Sequence, residues 1–238
     1  MKVFGIIDLS TIDYPKKCSS VIFMSGCNMK CGYCHNYEHM KKNTYNMTPE
    51  EVFNGIDLMF AEAIVISGGE PTLQPDALKE LCKISRERGF SVKIDTNGTN
   101  VEILKDLIDN KLIDYVALDV KCAFEKYKDI TDYDGEEMRK NIPEIINYCK
   151  ENNVFIECRT TFLPDLMDEQ DILKIAKIVK DCDLCTIQQF DREHAWKDEY
   201  KKMREPTTDE LVELGKIARE YIKNVVVKSK DESINVIK

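Results

Sequence analysis

The stretch SGCNMKCGYCHN (residues 25–36) places Cys27, Cys31 and Cys34 at intervals of three and then two intervening residues. Thiols this closely grouped are a ligand set for a soft metal ion or a metal–sulfur cluster. A structural zinc site closes four ligands, and its C-x2-C pairs usually come twice. His35 and His39 make a Cys3His site arithmetically possible, yet His35 directly follows Cys34, which makes tetrahedral closure by both awkward. A four-iron cluster normally takes four thiolates. Three would leave one iron open, as a catalytic metal keeps an open position. Gly26 and Gly32 would let the backbone fold around such a cluster and turn N–H groups toward its sulfides. The spacing favours a cluster over zinc and leaves both readings standing.

The elements that must position these thiols are legible as alternating patterns. Nearly continuous apolar, β-branched runs predict buried parallel strands at 20–25, 63–68, 90–95, 115–120, 155–162 and 184–190. Stretches of helical period lie between them, with capping signals at Thr48-Pro49 and at Asp168. A last helix near 207–224 precedes the strand-like VVVK. Six βα units in register predict an α/β fold, a parallel barrel or an open parallel sheet. No low-complexity linker or internal repeat interrupts them, so one domain is expected over 1–238. Its core spans about 18–190, with a C-terminal helix and strand at about 207–229. In such folds functional groups gather where strands end. The strand ends here carry the cysteine loop, Ser67-Gly68-Gly69-Glu70-Pro71-Thr72, Asp95-Thr96-Asn97-Gly98, Asp119-Val120-Lys121 and Gln188-Gln189, with Arg159 inside the fifth strand. Ordinary turns explain one such tip; a shared pocket explains them together.

Composition narrows the classes. The formal net charge is −9, which argues against a nucleic-acid or anionic-membrane surface. No apolar run approaches membrane-span length, and the N-terminal apolar run is too short for a signal peptide. A cytoplasmic protein is expected, in whose reducing surroundings ten cysteines are no disulfide framework.

Cys27-Asn28-Met29-Lys30-Cys31-Gly32-Tyr33-Cys34, in the loop after the first of the six strands, resembles the signature of radical S-adenosylmethionine (SAM) enzymes. Several further segments are similar to glycyl-radical-enzyme activating enzymes: His35-Asn36, Asp13-Tyr14-Pro15, Gly68-Gly69-Glu70, Asp95-Thr96-Asn97-Gly98 and Asp119-Val120-Lys121. SGGEPTLQP, RTT at 159–161 and QQF at 188–190 look most like the anaerobic ribonucleotide reductase activating branch. The resemblance runs from about Gly5 to Phe190.

That resemblance implies a partial (β/α)6 barrel and a [4Fe-4S] cluster held by Cys27, Cys31 and Cys34. The amino and carboxylate groups of SAM would take the open iron, which answers where the fourth ligand is. An electron, from flavodoxin or ferredoxin, would cleave SAM to a 5′-deoxyadenosyl radical that takes hydrogen from a glycine Cα of a partner glycyl radical enzyme. Tyr33 would present backbone and ring near the adenine, and Gly68, Gly69 and Glu70 would receive the methionine amino group. Asp95, Thr96 and Asp119, with Val120, would gather near the SAM carboxylate, where the family sometimes holds a monovalent cation. Lys121 and Arg159 would neutralise carboxylate or touch ribose, or else pair with Asp95 and Asp119. His35 and Asn36 would bond to the cluster loop. The pyruvate formate-lyase branch has a histidine after the sixth strand; here Gln188-Gln189-Phe190-Asp191 stands there, His194 comes later, and Gln189 takes the contact.

Cys182-x2-Cys185, with Cys149 and Cys158, reads as buried small hydrophobes rather than an auxiliary site. Residues 191–206, with Trp196, read as a solvated connection or a partner contact. Two other functions stay in view: a radical SAM enzyme acting on a small molecule, and a zinc-stabilised binding module without turnover.

Overall fold

The computed structural model describes residues 1–230 and 234–237. The chain opens with β1 (Lys2–Ser10), which runs antiparallel to β2 (Ser19–Met24). The cysteine loop, helix α1 (Tyr37–Lys42) and the short β3 (Tyr45–Asn46) follow. From there strand and helix alternate: α2 (Pro49–Asn54), β4 (Ala63–Gly68), α3 (Pro75–Glu87), β5 (Ser91–Thr96), α4 (Val101–Asp109) and β6 (Tyr115–Asp119). Next come α5 (Tyr127–Thr131), α6 (Gly135–Glu151), β7 (Phe155–Phe162), α7 (Glu169–Ile178) and β8 (Leu184–Gln189). The chain finishes with α8 (Asp198–Lys201), α9 (Thr208–Arg219), β9 (Val225–Lys228) and β10 (Ile234–Ile237).

One sheet takes them in the order β10-β9-β8-β7-β6-β5-β4-β2-β1-β3. β2, β4, β5, β6, β7 and β8 are the six parallel strands of the expected partial barrel, and β9 extends the parallel run. The antiparallel pairs lie at the two edges. β1 is not visible as a strand in the sequence pattern, because much of it faces solvent and it lacks a continuous apolar run. Thr48 and Asp168 cap their helices as expected, each in a reciprocal box with the residue three positions on. Among the described residues no helix is long and apolar enough to cross a membrane.

The strands are two-faced. Ile64, Ile66, Val92, Ile94, Val116, Leu118, Ile156 and Ile187 are buried in the main core that they share with helix residues such as Leu78, Leu104, Ile142 and Ile175. Removing such a side chain from water is worth about 1.5–3 kcal/mol each. The alternate positions form rows on the opposite face, since residues in register on parallel strands share a face. Val65, Lys93, Tyr115 and Phe155 make one row, and Asp119, Arg159 and Thr186 another. Tyr14 packs into a small apolar cluster on that face with Val21, Val65 and Tyr115. Ala63 and Ala117 belong to the same cluster, and the charged side chains of Lys93, Asp95, Asp119 and Arg159 share the face.

Candidate active site

The tip of β4 holds the cysteine loop by main-chain bonds. Gly69 N–H donates to Met24 O (2.9 Å), and Glu70 N–H donates to Gly26 O (2.8 Å). Asn36 Nδ2 donates to Gly68 O (2.8 Å). Gly68 sits at φ +124°, and a methyl group there would overlap the Met24 backbone; one on Gly69 would overlap the Gly26 carbonyl. The close approach that demands glycine is therefore to the cysteine loop itself. Gly69→Ala is expected to push Cys27 out of place and cost about 1–3 kcal/mol, the range for forcing an extra methyl into packed structure. Iron retention and thermal unfolding of the variant would check this.

Glu70 turns away from the site. It is fully buried and accepts from Thr72 N–H (3.1 Å), Thr72 Oγ1 (2.5 Å), Thr96 Oγ1 (2.9 Å) and Asn97 N–H (2.7 Å). Burial pushes its carboxyl up, against those four bonds. Its work is to tie the β4 tip to the β5 tip. Asn97, noted in the sequence only as part of a strand tip, then reaches the cysteine loop. Its Nδ2 donates to Asn28 Oδ1 (2.9 Å) and lies 3.9 Å from Cys27 Sγ. Met29 N–H points at the same sulfur from 3.4 Å.

A cavity of about 430 Å³ lies between the cysteine loop and the strand tips, a size ordinary for a small-molecule site. Cys27, Cys31, Cys34, Tyr33 and His35 line one side; Gly68, Gly69, Asp95, Thr96, Asp119, Lys121, Arg159 and Gln189 line the rest. Glu70 and Val120 do not line it; Val120 is buried, its N–H bonded to Arg159 O (2.9 Å). Tyr33 is 6% exposed, its ring lies 6.2 Å from that of Tyr200, and its hydroxyl is buried without a hydrogen-bond partner. Gln189 borders the cavity, but its amide is occupied: Nε2 donates to Pro206 O (2.6 Å) and Oε1 accepts from Lys230 N–H (2.8 Å). Gln188, in register with Thr161, lines the cavity, and among the described residues its side-chain amide has no hydrogen-bond partner.

The far wall is an ion network. Arg159 bridges Asp119 (Nε–Oδ1 2.8 Å) and Asp95 (Nη1–Oδ2 3.2 Å). Lys121 pairs with Asp119 (2.8 Å), Lys93 pairs with Asp95 (2.9 Å), and Ser67 donates to Asp95 (2.9 Å). Of the two roles expected for Lys121 and Arg159, the geometry shows the pairing with Asp95 and Asp119, so the protein itself supplies these acids with countercharges. Burial alone would raise the Asp95 carboxyl, but Arg159 and Lys93 outweigh it and hold it well below its ordinary 3.8. Asp119 is held below the same value against burial by Arg159 and Lys121. Both folded values lie under the unfolded one, so their stabilisation is present above pH 3.8 and lost as pH falls below it. The unfolding midpoint of cluster-free protein is expected to fall steeply below pH 3.8, and Asp95→Asn to flatten that slope, in melts across the acid range.

Burial pushes the Cys31 thiol up to about 12 and the Cys27 thiol to about 11, and raises Cys34 as well. At neutral pH these thiols keep their protons until a metal centre displaces them, so loading releases protons. Among the described residues no three Cys, His, Asp or Glu side chains are arranged to hold a single metal ion. Zinc draws its ligands to one centre, whereas a multi-iron cluster spreads its thiolates around a cage. Three loop thiols with N–H donors on Cys27, beside a roomy charged cavity, fit a cluster with a cosubstrate.

The likeness to known proteins agrees with this geometry. Residues 21–182 match the family model of the radical SAM superfamily. A Methanocaldococcus jannaschii protein, provisionally named a glycyl-radical enzyme activating enzyme, is 61% identical over 95% of this chain and 95% of its own length. The pyruvate formate-lyase-activating enzyme of Streptococcus mutans is 30% identical over 79% of this chain and 73% of its own. Among solved structures, Streptococcus suis SuiB bound to the precursor peptide SuiA superposes with a TM-score of 0.66 at 17% identity. That match covers 88% of this chain but 48% of SuiB, and at such identity it shows the fold alone. This chain belongs to the radical SAM superfamily, among its glycyl-radical-enzyme activating enzymes. The superfamily implies a [4Fe-4S] cluster and SAM.

Proposed function

We propose that Cys27, Cys31 and Cys34 hold the cluster with one iron left to SAM, and that the enzyme installs a radical on a glycine Cα of a partner glycyl radical enzyme. The anaerobic ribonucleotide reductase class is the partner favoured by the RTT and QQF segments, and flavodoxin or ferredoxin is the donor class. The carrying observation is one cavity with the three thiols on one side and the Asp95–Arg159–Asp119–Lys121 network on the other. A bound cluster supplies the single electron that cleaves SAM. The chain's own residues do the positioning. Two cations, Lys121 and Arg159, line the cavity there and could meet a carboxylate such as that of SAM's methionine, although buried Asp95, Asp119 and Glu157 balance the charges of Lys93, Lys121 and Arg159. Gln188 and Thr161 offer polar groups on the same face that have no hydrogen-bond partner among the described residues, and Gln188 replaces Gln189 as the proposed contact. His35 lines the cavity, its ring 5.5 Å from that of His194, and burial holds it below its ordinary pKa against the nearby charge of Asp191.

Electron paramagnetic resonance on anaerobically reconstituted, dithionite-reduced protein tests the reading. A four-iron signal whose shape changes with SAM is expected. Stoichiometric zinc without a cluster signal, or a signal indifferent to SAM, would overturn it. A glycyl radical signal on an added partner separates activation of a protein from work on a small molecule.

A further inference from the structure

The geometry points to residues 191–203 as a clasp that sets the spacing of Cys31 and Cys34, with Trp196 as its positioning residue. Cys31, Gly32, Tyr33 and Cys34 form a turn closed by Cys34 N–H donating to Cys31 O (3.1 Å). That same carbonyl accepts a second bond, from the indole Nε1–H of Trp196 at 2.7 Å, across 165 positions of sequence. The next carbonyl, Gly32 O, accepts from Lys197 N–H (3.2 Å). Two successive carbonyls of the turn are thus held by adjacent residues of one segment. The Tyr200 ring then covers Gly32 so closely that a methyl group on Gly32 would overlap it. Tyr37, three residues beyond Cys34, stacks on the Trp196 ring with centroids 3.8 Å apart and planes 17° from parallel. Ala195 and Tyr200 are buried, which anchors the segment on either side of the indole.

A turn fastened at its carbonyls cannot widen without breaking the indole bond. Two thiolates on that turn therefore keep one separation whether the metal centre is oxidised, reduced or being assembled. The rings of Trp196, Tyr37 and Tyr200 also cover one side of the loop. The clasp acts through the cysteines and touches neither cosubstrate nor reacting atoms.

This inference rests on Cys31 and Cys34 being cluster ligands, and the test separates the two. Full-length wild type, Trp196→Phe and Gly32→Ala would be reconstituted with iron and sulfide under anaerobic conditions. Release of iron to a ferrous chelator is followed, alongside thermal melts of the cluster-free proteins. Phenylalanine keeps one aromatic ring to stack on Tyr37 and loses the N–H donor together with part of the ring area. Its iron release is expected to be about fivefold faster, equivalent to about 1 kcal/mol for one hydrogen bond, with the cluster-free melt unchanged. Gly32→Ala, which must displace Tyr200, is expected to release iron faster still. Iron release at the wild-type rate in both variants would overturn the inference. So would faster release matched by an equal loss of stability in the cluster-free protein, because the clasp would then brace the fold and not the turn. A wild type that takes up no iron would overturn the cluster assignment itself, before any variant is compared.

Discussion

Replacing Cys27, Cys31 or Cys34 by alanine is expected to abolish both iron–sulfur loading and radical formation on a partner protein, while Cys182→Ala leaves iron content at the wild-type level. The contrast is physical. The three loop thiols border a cavity that admits a cofactor, and Cys27 Sγ has Met29 N–H and the Asn97 amide aimed at it. Losing merely an outer partner of a metal ligand typically costs 10–100-fold in affinity, so losing one of three ligands should exceed about 100-fold. Cys158, Cys182 and Cys185 lie instead in the main core, and Cys158 and Cys185 are in register on β7 and β8. Burial pushes the Cys158 and Cys185 thiols far above the ordinary range, leaving them inert. Iron and sulfide analysis of the four variants after anaerobic reconstitution decides it. Iron loss in Cys182→Ala would reveal a second site.

Arg159→Leu should have the largest effect of any single change outside the cysteines. Its guanidinium spans the two acids, and the side chains of Arg159 and Asp95 are only 14% and 12% exposed. Breaking a buried ion pair by removing one partner costs about 3–5 kcal/mol, because the remaining charge stays desolvated. Lys93 and Lys121 still attend the orphaned acids, which argues for the lower end, about 3 kcal/mol. At roughly 2–4 °C per kcal/mol for a chain of this size, Tm should fall by about 6–12 °C. The cavity also loses a cation from its lining, so SAM should bind more weakly to reconstituted enzyme. Arg159→Lys should restore little, since an ammonium cannot reach both carboxylates in a planar fork. Thermal melts of cluster-free protein, paired with SAM titration by the cluster's resonance signal, would follow both effects. A double-mutant cycle with Asp119→Asn should return a coupling of about 0.5–3 kcal/mol. Independent behaviour of the two positions would mean the 2.8 Å bond between them carries no weight.

The sequence by itself determined what is encoded locally. Cysteine spacing is contiguous, and so is the rhythm of apolar runs, helical stretches and glycine- or acid-bearing strand tips. Together they specified parallel βα units and brought the right tips to one edge, because a strand's end and its following turn are neighbours in the chain. Thr48 and Asp168 as helix caps are local for the same reason.

Only the tertiary structure decided which of those groups face the cavity. Strand side chains alternate, so one step along β8 separates Gln188, whose amide has no partner among the described residues, from Gln189, whose amide bonds to Pro206 and Lys230. Glu70 sits in the most suggestive of motifs, yet its carboxylate is claimed by Thr96 and Asn97 from the next strand tip. Asp95 and Asp119 find Arg159 across the sheet through register, which no local pattern states. Residues 191–203, solvated in appearance, close over the cysteine turn through an indole whose partner is 165 positions away. Chemistry-bearing residue types are written in short segments. Their orientation depends on hydrogen bonds and charge pairs between segments far apart in the chain, formed only as the sheet assembles.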